Sequence, residues 1–170
     1  MELEQRVAEL ERRLTALERQ DPESPSPRLG DGDFWALEGL KRQLADAGEA
    51  GADGGVLYTG SVRLPTGEQY GWQYGAFTEA LFDGDWADAA ESFAALGHPV
   101  RLRLLREILG GLRTAAELAA LDGAGTTGQI YHHLRQLTGA GWLHAAGRGR
   151  YEVPPARVVP LLVVLTAARP

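Results

Sequence analysis

The 170-residue sequence has no cysteine and no asparagine, and Lys41 is its single lysine. Without cysteine there are no disulfides, no thiolate metal sites and no Cys nucleophile, and the chain suits a reducing compartment. Long apolar runs are missing too. The longest, Val158 to Ala168, is too short to span a bilayer and contains Pro160. No secretory signal peptide is expected, because the N-terminus is charged throughout. The expectation is a soluble cytoplasmic protein with no membrane contact. Nor is there a nucleophile with a nearby base, a glycine-rich phosphate loop or a ligand cluster, so a non-enzyme without cofactors is expected.

What the chain does have is segregated charge. Its formal net charge is −6, but residues 1–96 hold 8 basic against 19 acidic groups, whereas residues 97–157 hold 8 basic against 4 acidic. The net charge therefore misleads: the segment that would touch a polyanion is positive, and the acidic part is expected to limit non-specific binding by repulsion.

MELEQRVAELERRLTALERQ places Leu3, Val7, Leu10, Leu14 and Leu17 at alternating steps of four and three, a heptad seam. With Val7 and Leu14 at a, the g positions are Arg6 and Arg13 and the e positions include Glu11 and Glu18. A parallel pair then sets Arg6 against Glu11 and Arg13 against Glu18. A short dimeric coiled coil over 1–20 is predicted, the alternative being an amphipathic helix on its own domain. It needs a second dimer contact, because it is under three heptads long. Residues 21–32, rich in proline and without apolar periodicity, read as a semi-rigid linker.

DFWALEGLKRQLADAG predicts a helix capped by Asp33 and closed at Gly48, with Phe34, Leu37, Leu40 and Leu44 on one face. In GGVLYTGSVRLPTGEQYGWQYGA, Pro65-Thr66-Gly67 suits a three-residue hairpin loop. That register pairs Val62 with Tyr70, Gly60 with Trp72 and Tyr58 with Tyr74. One face then carries Val56, Tyr58, Val62, Tyr70, Trp72 and Tyr74, with Gly60 leaving room for the indole. The Phe34–Leu44 helix is the nearest cover. Either this face is the core of a small αβ subdomain, or Tyr58, Tyr70, Trp72 and Tyr74 line an effector pocket. One or two helices follow, with Phe82, Trp86, Ala90, Phe93 and Leu96 at helical spacing. Asp83, Asp85 and Asp88 read as turn and helix-start carboxylates rather than a calcium loop.

GHPVRLRLLREILGG begins a new unit, with Pro99 in the first turn and Val100, Leu104, Leu105 and Ile108 as its buried stripe. Thr114 and Glu117 form a capping box for a short helix. Thr126 caps the next, TTGQIYHHLRQLTGAG, whose Ile130, Leu134 and Leu137 point inward. Trp142, Leu143 and His144 begin a strand, Gly147-Arg148-Gly149 turns it, and residues 150–153 return. Helix, helix, turn, helix and hairpin make a winged helix-turn-helix.

In ALGHPVRLRLLREIL, AAELAAL, TTGQIYHHLRQLTGAGWL and GRGRYEV the chain resembles the ArsR family of bacterial transcription regulators, from about Ala95 to Ala168. The resemblance implies that the helix from Thr126 lies in the major groove. Thr127, Gln129, Tyr131 and His132 would sit near base edges. Thr126 and Arg135 would meet phosphates, and Arg148 and Arg150 would ride on the wing. Tyr131 stands where the family usually has a small hydroxyl residue. The terminal helix, Pro155 to Ala168, would dimerise through Leu161, Leu162 and Leu165, with Pro160 kinking it or marking its true start. Members often sense metals, but the thiolate motif beside Glu117 is missing here and the terminal helix offers no His, Asp or Glu. His132 and His133 lie about 100° apart on a helix and cannot easily chelate one ion, so no metal site is expected. His133 reads as a packed histidine bonded within the motif.

The predicted fold class is α+β, mainly helical. A winged helix-turn-helix domain with a C-terminal dimerisation helix (95–170) follows the coiled-coil helix (1–20), the linker (21–32) and a helix plus β-hairpin subdomain (33–94). The predicted function is a homodimeric, sequence-specific regulator on double-stranded DNA, a repressor that does not sense metal, with a small-molecule or protein effector at its N-terminal region. The alternative is a winged-helix adaptor that recruits a partner through the coiled coil.

Overall fold

The computed structural model describes residues 6–7, 34–123 and 125–169. The chain divides into two units, residues 1–39 and 40–170. In the first, Arg6 and Val7 are helical and Val7 is exposed. Leu3, Leu10, Leu14 and Leu17 of the expected seam, the 21–32 linker and the expected cap Asp33 lie outside the described residues. Helix α1, Trp35–Asp46, begins in the first unit, where Phe34 and Leu37 are exposed, and ends in the second, where Leu40 and Leu44 are half-buried.

The second unit is mainly helical. After a 3-10 turn at Gly48–Gly51 come strands β1 (Gly55–Arg63) and β2 (Gln69–Phe77), then α2 (Thr78–Asp83), α3 (Ala90–Leu96), α4 (Pro99–Leu109), α5 (Ala115–Ala119) and α6 (Thr127–Gly139). Two short strands, β3 (His144–Ala145) and β4 (Tyr151–Glu152), precede the last helix, α7 (Pro155–Ala167). Both sheets are two-stranded antiparallel ribbons. Among the described residues no helix is long and apolar enough to cross a membrane.

The β1–β2 register is the expected one: Val62 opposes Tyr70, Gly60 opposes Trp72 and Tyr58 opposes Tyr74. Its turn is closed by Leu64 N–H donating to the Glu68 carbonyl (2.9 Å) and Gly67 N–H to that of Leu64 (2.9 Å), with Gly67 at φ 89. The cover of the aromatic face differs from expectation. Helix α7 packs on both strands, and a Cβ at position 60 would lie 2.6 Å from Val159 Cγ1. Gly60 therefore makes room for a valine of the last helix. Alternate residues of a strand point to opposite faces, and α1 meets the other one: Leu44 Cδ2 lies 3.3 Å from where a Gly55 Cβ would be.

Among the described residues the core is a single cluster. Helix α4 supplies Leu104, Leu105 and Ile108, α5 supplies Leu118, and α6 supplies Ile130, Leu134 and Leu137. Trp142 and Leu143 enter it just ahead of β3, so the wing strands are shorter than the sequence implied. Val158 and Leu161 join from α7, which begins at Pro155 and continues past Pro160, so Pro160 does not mark its start. Leu64, at the tip of the β1–β2 hairpin, is buried in the same cluster. The hairpin tip thus packs into the same core as the helix-turn-helix, within the unit of residues 40–170.

Two short helices form over this stretch as expected, with a 3-10 turn at Trp86–Ala89 between them, but Phe82, Trp86 and Phe93 share no buried face. Gly84 is extended (φ −72, ψ 149) and breaks the helical phase, leaving all three rings exposed. Only Ala95 and Leu96 of that stretch are buried. Asp85 is a helix-start carboxylate, accepting from Ala87 N–H at 2.9 Å. The α3 C-terminus is held by Arg101, whose guanidinium donates to the Ala95 and Ala94 carbonyls (2.6 and 2.7 Å).

Candidate nucleic-acid interface

Helix α6 separates its faces cleanly. Ile130, Leu134 and Leu137 have no exposed surface, whereas Thr126, Thr127, Gln129, Tyr131, His132 and Arg135 are all exposed. An amphipathic helix must bury one stripe, and doing so here turns the predicted contact residues outward together. The turn before α6 is tied down by Arg103, whose Nη1 donates to the Asp122 carbonyl at 2.6 Å.

Two capping boxes start the motif's helices. Thr114 N–H donates to Glu117 Oε2 (2.8 Å) and Glu117 N–H to Thr114 Oγ1 (3.2 Å). Thr126 N–H donates to Gln129 Oε1 (2.8 Å), and Gln129 N–H to Thr126 Oγ1 (3.3 Å). The Thr126 hydroxyl also donates to Gln129 Oε1 at 3.2 Å, within the same cap.

On the wing, Ala146 N–H donates to the Arg150 carbonyl (2.9 Å) and Arg150 N–H to that of Gly147 (3.0 Å). Gly147, Arg148 and Gly149 all have positive φ, with Arg148 at φ 51. A non-glycine residue pays about 1–2 kcal/mol for that left-handed conformation. The Arg148 and Arg150 side chains are exposed, and Arg150 lies close enough to Glu117 to help lower its carboxyl, after the Thr114 hydroxyl and the backbone N–H groups.

A second cationic group, Arg113, was not singled out from the sequence. Its Nη2 reaches Glu68 of the hairpin tip (2.6 Å) and its Nη1 reaches Glu152 of β4 (3.0 Å), with the side chain 17% exposed. Its carbonyl accepts from Tyr151 N–H at 2.7 Å, and the next residue, Thr114, bridges to Arg150. Hydrogen bonds from Arg113 and Thr66 hold the Glu68 carboxyl below the usual carboxylate range. Hairpin tip, helix-turn-helix and wing are thereby clamped at one residue. Its partners lie 45 and 39 positions away, which no local pattern encodes.

His133 is packed, but its buried Nδ1 has no hydrogen-bond partner, contrary to the bonded histidine expected. Its ring centroid lies 4.7 Å from that of His98 and 5.7 Å from that of His132. Burial, and then the neighbouring His98, Arg101 and His132, push its pKa below the ordinary value. The unfolded chain therefore binds a proton more readily than the folded one. Stability is fully present above the ordinary histidine pKa of about 6.5 and is lost as pH falls through the depressed folded value. Urea midpoints should fall from pH 7.5 to 5.5, and His133→Leu should flatten that decline; an equal decline in the variant would assign it elsewhere. Among the described residues no group of three or more His, Asp or Glu could hold a metal ion.

The four aromatics expected to line one pocket are dispersed. Tyr74 borders a recess of about 250 Å³ between α1 and the hairpin, lined also by Leu40, Gln43, Leu44, Leu57 and Gln73. Tyr70 borders a separate crevice of about 40 Å³ beside Arg113 and Glu152. Tyr58 lies against Tyr74, with ring centroids 5.9 Å apart, and Trp72 is 38% exposed. Of the terminal-helix residues expected at a dimer contact, Leu161 is buried in the core of the chain, while Leu162 and Leu165 are half-buried at the core's edge.

No curated protein and no solved structure matches the chain. A family model described as a helix-turn-helix domain matches residues 96–143, the span from the end of α3 to Leu143. Residues 96–143 therefore form a helix-turn-helix domain, and the β3–β4 ribbon behind it makes the domain a winged one.

Proposed function

We propose that the protein is a homodimeric, sequence-specific DNA-binding regulator of the ArsR kind, and a repressor in the cytoplasm rather than an enzyme or a metal sensor. The observation that carries this reading is α6, which buries Ile130, Leu134 and Leu137 and turns Thr127, Gln129, Tyr131, His132 and Arg135 outward, while Arg148 and Arg150 are exposed on the wing. Thr127, Gln129, Tyr131 and His132 face base edges in this reading, and the arginines neutralise phosphates. Dimerisation draws on the 1–20 heptads and on Leu162 and Leu165. The recess beside Leu44 and Tyr74 is the enclosure that the N-terminal part of the compact unit offers an effector.

A second reading, a winged-helix adaptor, draws on the exposed rings of Phe82, Trp86 and Phe93, since exposed apolar surface marks protein contacts. Selection from random duplexes with the purified protein separates the two. A regulator enriches two related half-sites about 10 bp apart, or a multiple of that, as two-fold recognition requires. An adaptor enriches none.

A further inference from the structure

Gln129 occupies the third position of α6, in the turn that meets base edges if the DNA-binding reading holds, and this inference rests on that reading. A glutamine side chain has one acceptor oxygen and one NH₂ with two donor hydrogens. Here the oxygen is engaged. Gln129 Oε1 accepts from Thr126 N–H at 2.8 Å and faces the Thr126 hydroxyl at 3.2 Å. The orientation of the amide is dictated, because a backbone N–H can only donate and so must meet the oxygen. Gly125 closes over this arrangement at φ 94, and a Cβ there would come 2.6 Å from the same Oε1. The Nε2 group makes no hydrogen bond among the described residues.

The familiar pairing of glutamine with adenine is bidentate: the amide oxygen accepts from adenine N6 while the NH₂ donates to N7. An oxygen committed to the helix cap cannot do this. What remains outward is a donor-only group. In the major groove, guanine presents two adjacent acceptors, O6 and N7, and no donor of its own. We propose that Gln129 is a specificity-determining residue that reads guanine: its cap to Thr126 removes the bidentate adenine contact, and guanine offers its outward NH₂ two acceptors where adenine N7 or thymine O4 offers one.

The chain contains the template for a test. At Thr114, a glutamate in the same third position makes the same box, Glu117 Oε2 accepting from Thr114 N–H at 2.8 Å. Gln129→Glu can therefore keep the α6 cap with one oxygen, while the other becomes an outward acceptor. An outward acceptor suits cytosine, whose N4 donates in the major groove. Full-length wild type, Gln129→Glu and Gln129→Ala are each put through selection from random duplexes, with thermal melts confirming that each is folded. The expected result is a guanine in each half-site for wild type, cytosine at that position for Gln129→Glu, and no preference there for Gln129→Ala. The guanine-to-cytosine affinity ratio of the glutamate variant should fall by roughly ten-fold or more. Comparing two bases on one protein cancels the added negative charge. Adenine at that position in wild type, or one motif shared by wild type and Gln129→Glu, overturns the assignment while leaving DNA recognition standing. Failure of all three folded proteins to enrich any motif overturns the DNA-binding reading itself, and this proposal with it.

Discussion

Alanine at both Arg148 and Arg150 is expected to lower affinity for every duplex alike and to flatten its salt dependence, without unfolding the protein. Each phosphate contact contributes about 0.9 to the slope of log affinity against log salt, so four lost contacts in a dimer reduce the slope by roughly 3.6. Near 0.15 M salt this corresponds to a loss on the order of 10³-fold. The fold should tolerate the change. Both side chains are exposed, and alanine retains the backbone bonds that Ala146 and Gly147 make with position 150. Alanine at 148 inherits the same left-handed backbone as Arg148, at φ 51. Fluorescence anisotropy across salt concentrations, beside urea unfolding, reads both quantities. Lost affinity with an unchanged slope would mean that the wing acts by some route other than phosphate charge.

The second large effect lies in the fold. Leu64→Ala should cost about 2–4 kcal/mol, within the range for truncating a buried leucine. Leu64 is 8% exposed and sits in the same core cluster as Leu118 and Leu134, although it belongs to the hairpin tip. Around it, Arg113 ties Glu68 to Glu152, and a Cβ at Gly111 would lie 3.2 Å from Thr66 Cγ2. The neighbouring contacts hold the tip in place, so the cavity left by truncation should collapse only in part. Urea denaturation measures the loss. A change below about 1 kcal/mol, typical of a surface site, would show that the hairpin is an appendage to the helix-turn-helix and not part of its core.

Where the sequence speaks through short-range chemistry, it was legible. Pro65-Thr66-Gly67 set the loop length and hence the register of all nine strand pairs. Thr114 with Glu117 and Thr126 with Gln129 marked both helix starts through boxes whose members lie three residues apart. The stripe Ile130, Leu134 and Leu137 separated the buried face of α6 from the face offered to a ligand. Contacts between distant segments were hidden. The pattern of β1 and β2 shows that one face needs a cover, but α1 and α7 are both apolar enough to supply it. Only the approach of Val159 to Gly60 decides between them. The spacing of Phe82, Trp86 and Phe93 imitates a buried helix face, because periodicity takes no account of the extended backbone at Gly84. The capping role of Gln129 could be read from its spacing to Thr126, but the consequence for its oxygen appears only once the two distances are known.

The central claim is that this winged helix holds DNA despite a chain charge of −6. The most direct measurement is an anisotropy titration of the full-length protein against a labelled random-sequence duplex, starting at low ionic strength and repeated at rising salt. The account predicts saturable binding at low salt whose logarithm falls linearly with the logarithm of salt concentration, as counterion release requires. Absence of duplex binding at the lowest salt, with the protein folded, would contradict it.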